Sequence, residues 1–372
     1  MNFEIDTKAL KEGIDVVNHA SVGASMTPIL ENIMINAGYK KVVLTANNLE
    51  MAIEYMISDG VDVKSEGSFT VSSRFISSFI SLVSEEKIHI SLLPNSSLSL
   101  ITPASDTKIK GIEASKFPLI PSFKQDYSFT MTALELKKAI DKTIFSTAEG
   151  NIRPTLAGIY LSITDDEIIF ASTDSFRLSE YKTKNKANII KPISIIIPSK
   201  TALELSRILP ENGPVELLIS ENQILFVFGN IKLFSRLLNG HFPDYRTFFP
   251  KSYSTKGVIQ RHDLIQALKR INLISKENNF NTRMAFNSDF GIELSTGDTE
   301  IGAGKISLPA SVEGENSIIG LNSTYLIEAL NVIKDDYVSL DFETSLSPIM
   351  LRGITEKESE FEYKHIIMPL KI

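Results

Sequence analysis

Paired carboxylates and a glycine-rich segment are the features of this chain that could do chemistry. Asp165-Asp166 and Asp335-Asp336 could act as acid–base pairs or bind a metal ion, but both lie in predicted turns, where aspartate is favoured for local backbone hydrogen bonds. The segment Gly302-Ala303-Gly304-Lys305 resembles the end of a phosphate-binding loop, yet Ile306 follows the lysine where Ser or Thr is needed. We therefore predict turns at the aspartates and a hairpin at the glycines.

The other reactive residue types form no catalytic pattern. The 372 residues include no Cys, which excludes thiol nucleophiles, disulfides and Cys-ligated metals. The five His show no ligand spacing, and no Ser–His–Asp arrangement is visible. The sequence predicts a protein that is not an enzyme and uses no cofactor or metal; a hydrolase that uses the paired aspartates is the alternative.

Composition limits the location and the partners. The N-terminus has neither a basic nor an apolar leader, and no run approaches eighteen apolar residues, so we expect a soluble cytoplasmic protein with no membrane partner. The formal net charge of −7 argues against a uniformly basic nucleic-acid binder. Basic and acidic side chains can still lie on different faces of the protein.

A hydrophobic–proline pair recurs at nearly equal spacing, which indicates a triplicated unit. The pairs, separated by 125 and 126 residues, are Phe117-Pro118, Phe242-Pro243 and Met368-Pro369. The predicted domains are residues 1–125, 126–253 and 254–372.

Each predicted domain contains two helices. The first helices are predicted over residues 7–18, 132–143 and 262–275, and the second over 72–83, 199–209 and 322–333. One apolar row marks each helix, such as Leu10, Ile14 and Val17, or Phe75, Phe79 and Leu82. The predicted N-caps of the first helices are Thr7, Thr132 and Asp263.

Strands fill the sequence between the helices. Period-two alternation, as in Ile159, Leu161 and Ile163, predicts antiparallel strands. The predicted fold is therefore α+β, with three tandem domains that each pack two helices on antiparallel sheets.

The predicted helices are more basic than the chain as a whole, because Lys and Arg outnumber Asp and Glu on them. This pattern predicts either solvated helix faces or a surface for a phosphate backbone. A domain of this size has a radius of gyration of roughly 14 Å, so six of them in a ring would leave a hole of roughly 35 Å, wide enough for duplex DNA. A head-to-tail dimer is the economical way to reach six.

Four segments resemble the bacterial DNA polymerase III beta subunit, the family of sliding clamps. They are residues 151–159, 172–178, 240–246 and 366–372, with the sequences NIRPTLAGI, STDSFRL, GHFPDYR and IIMPLKI. The resemblance implies a ring-shaped head-to-tail homodimer around double-stranded DNA, bound without sequence preference, with helices lining the hole and no catalytic activity. It also implies binding of the replicative polymerase alpha subunit, the clamp loader, translesion polymerases, and mismatch-repair and ligase proteins.

In that family these partners insert a short peptide rich in Gln, Leu and Phe into a hydrophobic pocket. The residues that match its lining are Leu156, Thr173, Ser175, Phe176, Arg177, Leu178, Pro243, Arg246, Thr247, Phe248, Ile366, Met368, Pro369, Leu370, Lys371 and Ile372. Apolar walls, a soft methionine and a few directed polar groups suit such a pocket. Without the resemblance, Leu156, Leu178 and Ile366 would be interpreted as core, and Arg177 and Arg246 as surface ion-pair partners.

The resemblance also assigns DNA contacts and a dimer seam. Arg153 and Lys200 match DNA-facing positions, and the charge pattern alone adds Lys137, Lys138, Lys142, Arg207, Lys269 and Arg270, for which a solvated surface is the alternative. Ile109, Leu273 and Ile274 match the dimer seam. Phe176 departs from the family, since His is common there. The alternative function is a peptide-binding scaffold of the same fold that does not encircle DNA.

Overall fold

The computed structural model describes residues 1–23, 26–150, 153–185, 191–355 and 361–371. Ile372, a predicted pocket residue, lies outside them. The chain divides into one unit made of Met1–Leu136 and Leu203–Leu237 and another made of Lys137–Ala202 and Leu238–Ile372. The predicted domain boundaries do not coincide with this division, since residues 126–253 contribute to both units, and they stay a prediction.

All six predicted helices are confirmed within the described residues. They are α1 (Thr7–Asn18), α2 (Ser73–Ser81), α3 (Ala133–Thr143), α4 (Ser199–Ile208), α5 (Arg261–Ser275) and α6 (Ser323–Val332). The buried residues of α1 include Leu10, Ile14 and Val17, as the periodicity predicts.

One of the three predicted N-caps is confirmed and two are wrong. Thr132 is confirmed: its Oγ1 accepts the backbone N–H of Glu135 at 3.2 Å, and the Glu135 carboxylate accepts the N–H of Thr132 at 3.3 Å, a capping box. Thr7 is wrong by one residue, because the Asp6 carboxylate accepts the first free N–H groups of α1. Asp263 is also wrong. It lies in the first turn of α5, where its charge favours the positive end of the helix dipole.

The described residues also form strands between the helices, numbered in chain order. They are β1 (Asn2–Asp6), β2 (Asn32–Gly38), β3 (Lys41–Asn47), β4 (Met51–Ile57), β5 (Val61–Ser65), β6 (Gly67–Ser72), β7 (Lys87–Leu93), β8 (Ser97–Thr102), β9 (Ser105–Lys110), β10 (Ile112–Glu113), β11 (Tyr127–Thr132), β12 (Gly158–Ile163), β13 (Glu167–Thr173), β14 (Arg177–Lys184), β15 (Ile193–Pro198), β16 (Pro214–Ile219), β17 (Gln223–Phe228), β18 (Ile231–Arg236), β19 (Thr255–Gln260), β20 (Asn281–Asn287), β21 (Gly291–Ser295), β22 (Lys305–Leu308), β23 (Ala310–Gly314), β24 (Ser317–Asn322), β25 (Tyr337–Phe342), β26 (Ile349–Ile354) and β27 (Phe361–Ile367).

Each unit contains one nine-stranded sheet and one smaller sheet, counted over the described residues. The first unit has the orders β10-β6-β2-β3-β4-β18-β17-β16-β11 and β5-β1-β7-β8-β9. The second has β15-β12-β13-β14-β27-β26-β25-β19-β23 and β22-β21-β20-β24. Neighbouring strands are antiparallel, as predicted, and each nine-stranded sheet joins two sequence repeats through one strand pair, β4 with β18 or β14 with β27.

The cores lie between the helices and the sheets. In β16, Val215, Leu217 and Ile219 are buried and alternate with more exposed residues, so the period-two pattern is confirmed there. In the second unit, Leu264 and Leu268 of α5 belong to one buried cluster with residues of several strands. No helix in the described part of the chain is long and apolar enough to cross a membrane.

Asp165-Asp166 and the glycine-rich segment lie in turns, as predicted, and Asp335-Asp336 lies in the bend between α6 and β25. Thr164 donates its backbone N–H to the carbonyl of Glu167 at 2.9 Å around Asp165-Asp166. Thr299 and Gly302 exchange two backbone hydrogen bonds between β21 and β22, which closes the glycine-rich hairpin. Over the described ranges, no group of three or more His, Asp or Glu side chains could hold a metal ion.

Candidate functional site

A tight turn between β13 and β14 fixes the centre of the site. The Asp174 carboxylate accepts the backbone N–H groups of Phe176 at 2.8 Å and Arg177 at 3.0 Å, and Thr173 Oγ1 accepts that of Ser175 at 3.0 Å. These bonds hold Ser175 at a φ of 82°, a left-handed conformation that costs a non-glycine residue roughly 1–2 kcal/mol. The turn is therefore shaped by its own side chains before any ligand binds.

A cavity of about 440 Å³ opens beside this turn, within the second unit. Its lining residues are Arg153, Thr155, Leu156, Thr173, Ser175, Arg177, Leu178, His241, Pro243, Tyr245, Phe248, Ile366 and Met368. Leu178 and Ile366 face each other across the β14–β27 pairing, and each is at most 3% exposed. The core interpretation and the pocket interpretation of these two side chains are thus compatible, since the cavity is bounded by the core.

Aromatic stacking supports one side of the cavity. The rings of Tyr160 and Phe242 stack at 4.9 Å, and Tyr245 meets Phe242 edge-on at 5.9 Å. The Tyr245 hydroxyl donates to Glu180 at 2.6 Å. Burial, followed by the charge of Glu180, raises the pKa of Tyr245, so the phenol stays protonated and the wall stays fixed.

A second cavity, of about 610 Å³, lies on the other side of Met368. Its lining residues are Ser175, Phe176, Asn278, Asn279, Asn281, Asn322, Tyr325, Met368, Pro369, Leu370 and Lys371. Backbone bonds attach the C-terminal segment there: Met368 donates to the carbonyl of Phe176 and Leu370 donates to that of Gly320, both at 2.8 Å. Met368 and Ser175 line both cavities, so an extended ligand could occupy the two in succession.

Arg177 is held from several sides. Its Nε donates to Asp174 at 3.0 Å, its Nη2 donates to the carbonyl of Phe145 at 2.6 Å, and its Nη1 pairs with Glu328 of α6. The guanidinium also lies 4.3 Å from the ring centre of Tyr325. The side chain is only 10% exposed, so the interpretation as a surface ion-pair partner is wrong for Arg177. It is a buried, preorganised cation at the cavity wall.

His365 lies behind the cavity on β27. Its Nδ1 is 2.8 Å from Ser179 Oγ, and its Nε2 has no hydrogen-bond partner in the part of the chain that the structure describes. Burial, with a smaller effect of the nearby Arg177 charge, lowers the pKa of His365 to about 3. The imidazole is therefore neutral at physiological pH and adds no charge to the site.

The structure gathers most of the predicted pocket residues around the two cavities. The first is lined by Leu156, Thr173, Ser175, Arg177, Leu178, Pro243, Phe248, Ile366 and Met368; Phe176, Pro369, Leu370 and Lys371 line the second instead. Arg246 and Thr247 line neither cavity, and Arg246 is a largely exposed partner of Glu167 at 3.4 Å. A peptide ligand for these cavities stays a prediction.

The sequence did not assign four residues of the first cavity to the pocket, nor Asn278, Asn279, Asn281, Asn322 and Tyr325 of the second. Thr155 lies in one of the four segments of the resemblance, and His241 and Tyr245 lie in another, so those segments were the available signal. Arg153 was assigned to DNA, but it lines the first cavity and its Nη1 donates to Ser175 Oγ at 2.5 Å.

The other predicted DNA-facing residues divide into two groups. The exposed or partly exposed ones are Lys137, Lys138, Lys200, Arg207, Lys269 and Arg270, and Arg207 also pairs with Glu204 at 2.7 Å. Lys142 differs. Its Nζ donates to the carbonyl of Val332 at 2.9 Å and lies 4.6 Å from the ring centre of Tyr363, and burial lowers its pKa to about 8. The structure places Lys142 against α6 and β27 rather than on a solvated face.

The predicted seam residues also differ from one another. Leu273 is 75% exposed, whereas Ile109 is 7% exposed and belongs to the core of the first unit. Ile274 is partly buried beside Gly304.

On α2 the buried side chains include Ile76 and Ile80, so the apolar row predicted from Phe75 and Leu82 does not face the core. The helix carries two apolar rows, and periodicity alone could not tell which one is buried.

Three family models match the chain in succession. They describe the N-terminal domain of the DNA polymerase III beta subunit over residues 1–121, its central domain over 130–244 and its C-terminal domain over 246–371.

Curated relatives and solved structures agree with these matches. The chain is 29% identical over 352 residues to a beta sliding clamp of Staphylococcus aureus, and 30% identical over 358 residues to that of Staphylococcus epidermidis, with 92% of each chain covered in both comparisons. It is similar to the crystal structure of the DNA polymerase sliding clamp from Bacillus subtilis, with a TM-score of 0.94 and 26% identity over 100% of this chain and 99% of that one. The beta subunit structure from Streptococcus pyogenes gives a TM-score of 0.94 and 25% identity, with both chains fully covered.

Proposed function

The chain belongs to the DNA polymerase III beta subunit family, and from that membership we propose that two copies close head to tail around duplex DNA while each pocket binds a partner peptide. As a member of this family it is a DNA sliding clamp, a non-catalytic processivity subunit. The observation that carries the peptide proposal is a cavity assembled from three distant segments, around residues 153–156, 173–178 and 241–248, and closed by Ile366 and Met368.

The two cavities fit an extended peptide with apolar anchors. The first is lined mainly by apolar side chains, and Arg177 is a fixed guanidinium at its wall, available to orient a peptide carbonyl. The second is richer in amides, from Asn278, Asn279 and Asn322, which suits a polar side chain such as Gln. A peptide that contains Gln, Leu and Phe matches this succession of polar and apolar cavities.

The helix contacts within each unit support a head-to-tail dimer. In the first unit, His19 at the end of α1 lies 2.5 Å from Glu204 of α4. In the second, Lys142 near the end of α3 donates to Val332 of α6. The first helix of one repeat thus contacts the second helix of the next repeat along the chain. By the same rule, α5 of one molecule would contact α2 of another.

The apolar residues exposed on α5 and α2 agree with that pairing. Leu273 near the end of α5 is 75% exposed, and Phe75 and Leu82 at α2 are 46% and 84% exposed. Exposed apolar side chains grouped on a surface are typical of association sites. We propose Leu273, Phe75 and Leu82 as the centre of the seam.

The sheet edges support the same dimer. Each nine-stranded sheet of the described residues joins five strands of one repeat to four of another, and the remaining sheets have five strands ending in β9 and four ending in β22. Pairing β9 of one molecule with β22 of a second would complete a third nine-stranded sheet and satisfy both free edges. This pairing joins one end of a molecule to the opposite end of the next, so the arrangement is head-to-tail, and two such pairings close a ring of two molecules.

Exposed basic side chains on the helices suit a DNA-lined hole. Lys200, Lys269 and Arg270 are exposed at helix positions, and a sliding ring needs phosphate attraction without base readout. We propose that the polymerase alpha subunit, the clamp loader, translesion polymerases, mismatch-repair and ligase proteins bind through the pocket of this cytoplasmic ring.

Topological trapping tests the DNA proposal. A clamp loader should place the protein on nicked circular DNA, and cutting the circle should release it, because only a closed ring needs an end to slide off. Equal retention on circular and linear DNA would contradict encirclement and favour the scaffold that binds peptides alone.

Removal of residues 368–372 tests the pocket proposal. This truncation removes Met368 from both cavities, so binding of a Gln-Leu-Phe peptide should be lost in a fluorescence anisotropy titration. The solution mass should stay that of the dimer, since the proposed seam lies elsewhere. Unchanged peptide affinity would refute the assignment of these cavities.

A further inference from the structure

A second turn, in the first unit, has the same construction as the turn beside the pocket. The Asn48 side chain accepts the backbone N–H groups of Glu50 at 3.0 Å and Met51 at 2.8 Å, as Asp174 does in the pocket turn. Leu49 has a φ of 73°, close to the 82° of Ser175. The Asn47 side chain accepts the backbone N–H of Leu49 at 2.8 Å, as Thr173 accepts that of Ser175, so local side chains hold this left-handed residue as well.

The contacts around this turn also correspond to those around the pocket turn. Arg236 donates its backbone N–H to the carbonyl of Glu50 at 3.0 Å, just as Met368 donates to Phe176. Ala52 pairs with Phe234 across β4 and β18, where the pocket has Leu178 opposite Ile366. The triplicated sequence has therefore built the scaffold of the pocket twice, once in each unit.

The first-unit scaffold also has a small open cavity, which we call the notch. Its lining includes the apolar Leu49, Met51, Leu119 and Phe234 and the polar or charged Glu50, Gln223 and Arg236. Its volume is about 70 Å³, compared with about 440 Å³ for the first cavity of the pocket. Since an apolar cavity of about 150 Å³ accepts the six carbons of benzene, the notch has room for about three carbons. That is the size of a valine side chain.

The charge at the rim of the notch indicates which kind of residue would come next to that valine-sized side chain in a bound peptide. The Arg236 side chain is exposed and makes no hydrogen bond or ion pair with the described residues. Leu119, on the same rim, is 91% exposed. Glu50 also lines the notch but has an interaction partner of its own, whereas the Arg236 guanidinium has none among the described residues. A notch with apolar walls at Leu49, Met51 and Phe234 and an unpaired guanidinium at its rim is complementary to an aliphatic side chain that is followed by a carboxylate.

We propose that the notch is a second peptide-docking site, which takes one valine-sized side chain of an extended acidic peptide and pairs the adjacent carboxylate with Arg236. The inference rests on the proposed function, because it treats the notch as a reduced copy of the peptide pocket. A single small anchor gives binding in the millimolar range, so the notch acts only on a partner that is already tethered to the protein by another contact.

Methionine methyl resonances separate the two sites, because Met51 lines the notch and Met368 lines the pocket. The full-length protein is labelled at methionine methyls, and Met51→Leu assigns the notch signal. Titration with acetyl-Val-Asp-amide should shift the Met51 methyl and leave the Met368 methyl unmoved. Arg236→Gln should weaken that binding at least about threefold, whereas Arg246→Gln, which removes a guanidinium outside the notch, should leave it unchanged.

Acetyl-Val-Asn-amide is the matched uncharged probe. A Met51 methyl that stays unmoved, or that responds equally to the Asn and Asp probes, would overturn the notch. A Gln-Leu-Phe peptide that shifts Met368 alone in the same sample would leave the proposed function standing while the notch fails. A Met368 methyl that ignores the Gln-Leu-Phe peptide would instead overturn the proposed function, and with it the premise of the notch.

Discussion

The Arg153 guanidinium donates a hydrogen bond of 2.5 Å to Ser175 Oγ, and both residues line the first cavity. The bond ties the loop before β12 to the turn between β13 and β14. Because the bond is exposed, breaking it costs about 0.5–1.5 kcal/mol. We expect an entering Gln-Leu-Phe peptide to have to break this bond, since it joins two residues of the cavity lining. Arg153→Ala should then raise the association rate of the peptide by up to about tenfold, as measured by stopped-flow fluorescence.

Arg207→Ala is the control for that experiment, since it removes an exposed guanidinium that is absent from both cavities. Its peptide association rate should match that of the wild type. A slower rate for Arg153→Ala would show that the guanidinium attracts the peptide rather than obstructing it.

Two arginines of the predicted pocket should contribute very differently to stability. Arg177 is 10% exposed and paired with Asp174 and Glu328, so Arg177→Ala leaves the 15% exposed carboxylate of Asp174, and the more exposed one of Glu328, without their cation. We expect a loss of about 3 kcal/mol in the free energy of unfolding of the second unit, seen as a lower urea midpoint. Arg246→Ala, which removes a 61% exposed partner of Glu167, should cost less than about 1 kcal/mol. Equal losses would contradict this difference in burial.

The stability of the protein should rise with pH above about 8 because of Lys142. Burial lowers the pKa of its amine to about 8 from the ordinary 10.5, so between these values the unfolded chain binds more protons than the folded one. One such proton gives a slope of up to about 1.4 kcal/mol per pH unit. Lys142→Met should reduce the slope of unfolding free energy between about pH 8 and 9.5, measured by urea denaturation. Above that window the raised pKa of buried Tyr363 acts in the opposite direction, because folding then retains a proton that the unfolded chain loses.

Lys269→Met is the matched control, because Lys269 is an exposed lysine at a helix position. Its slope should equal that of the wild type. An unchanged slope in Lys142→Met would show that the amine titrates as it does in the unfolded chain.

The sequence predicted the elements well where one local signal decides the outcome. Leu10, Ile14 and Val17 recur with the helical period and are buried, and the Thr132–Glu135 capping box could be recognised from residue types alone. The limits of α1 follow from the same pattern. Its cap was misplaced by one residue because Asp6 and Thr7 are both good N-cap types, and only the end of β1 selects Asp6.

The site was less predictable, because side-chain direction depends on packing between distant segments. Phe176 and Arg177 are adjacent in sequence, yet one is 59% exposed beside the second cavity and the other is buried at the first. Arg153 was assigned to DNA from its loop, while its direction is determined by Ser175, which lies twenty-two residues later. Neither composition nor spacing contains that information.

Leu273→Asp should convert the proposed dimer into monomers. Leu273 is 75% exposed near the end of α5, where we propose, by analogy with the helix contacts of the other repeats, that α2 of the neighbouring molecule packs. A carboxylate there would be buried against Phe75 and Leu82 without a cation, at a cost of several kcal/mol. Sedimentation velocity at micromolar concentration should therefore show a mass of about 41 kDa for the variant and twice that for the wild type. Leu346→Asp, at a residue 76% exposed in the turn between β25 and β26, is the matched control and should remain dimeric. A dimer that survives Leu273→Asp would place the seam elsewhere, and with it the pairing of β9 with β22.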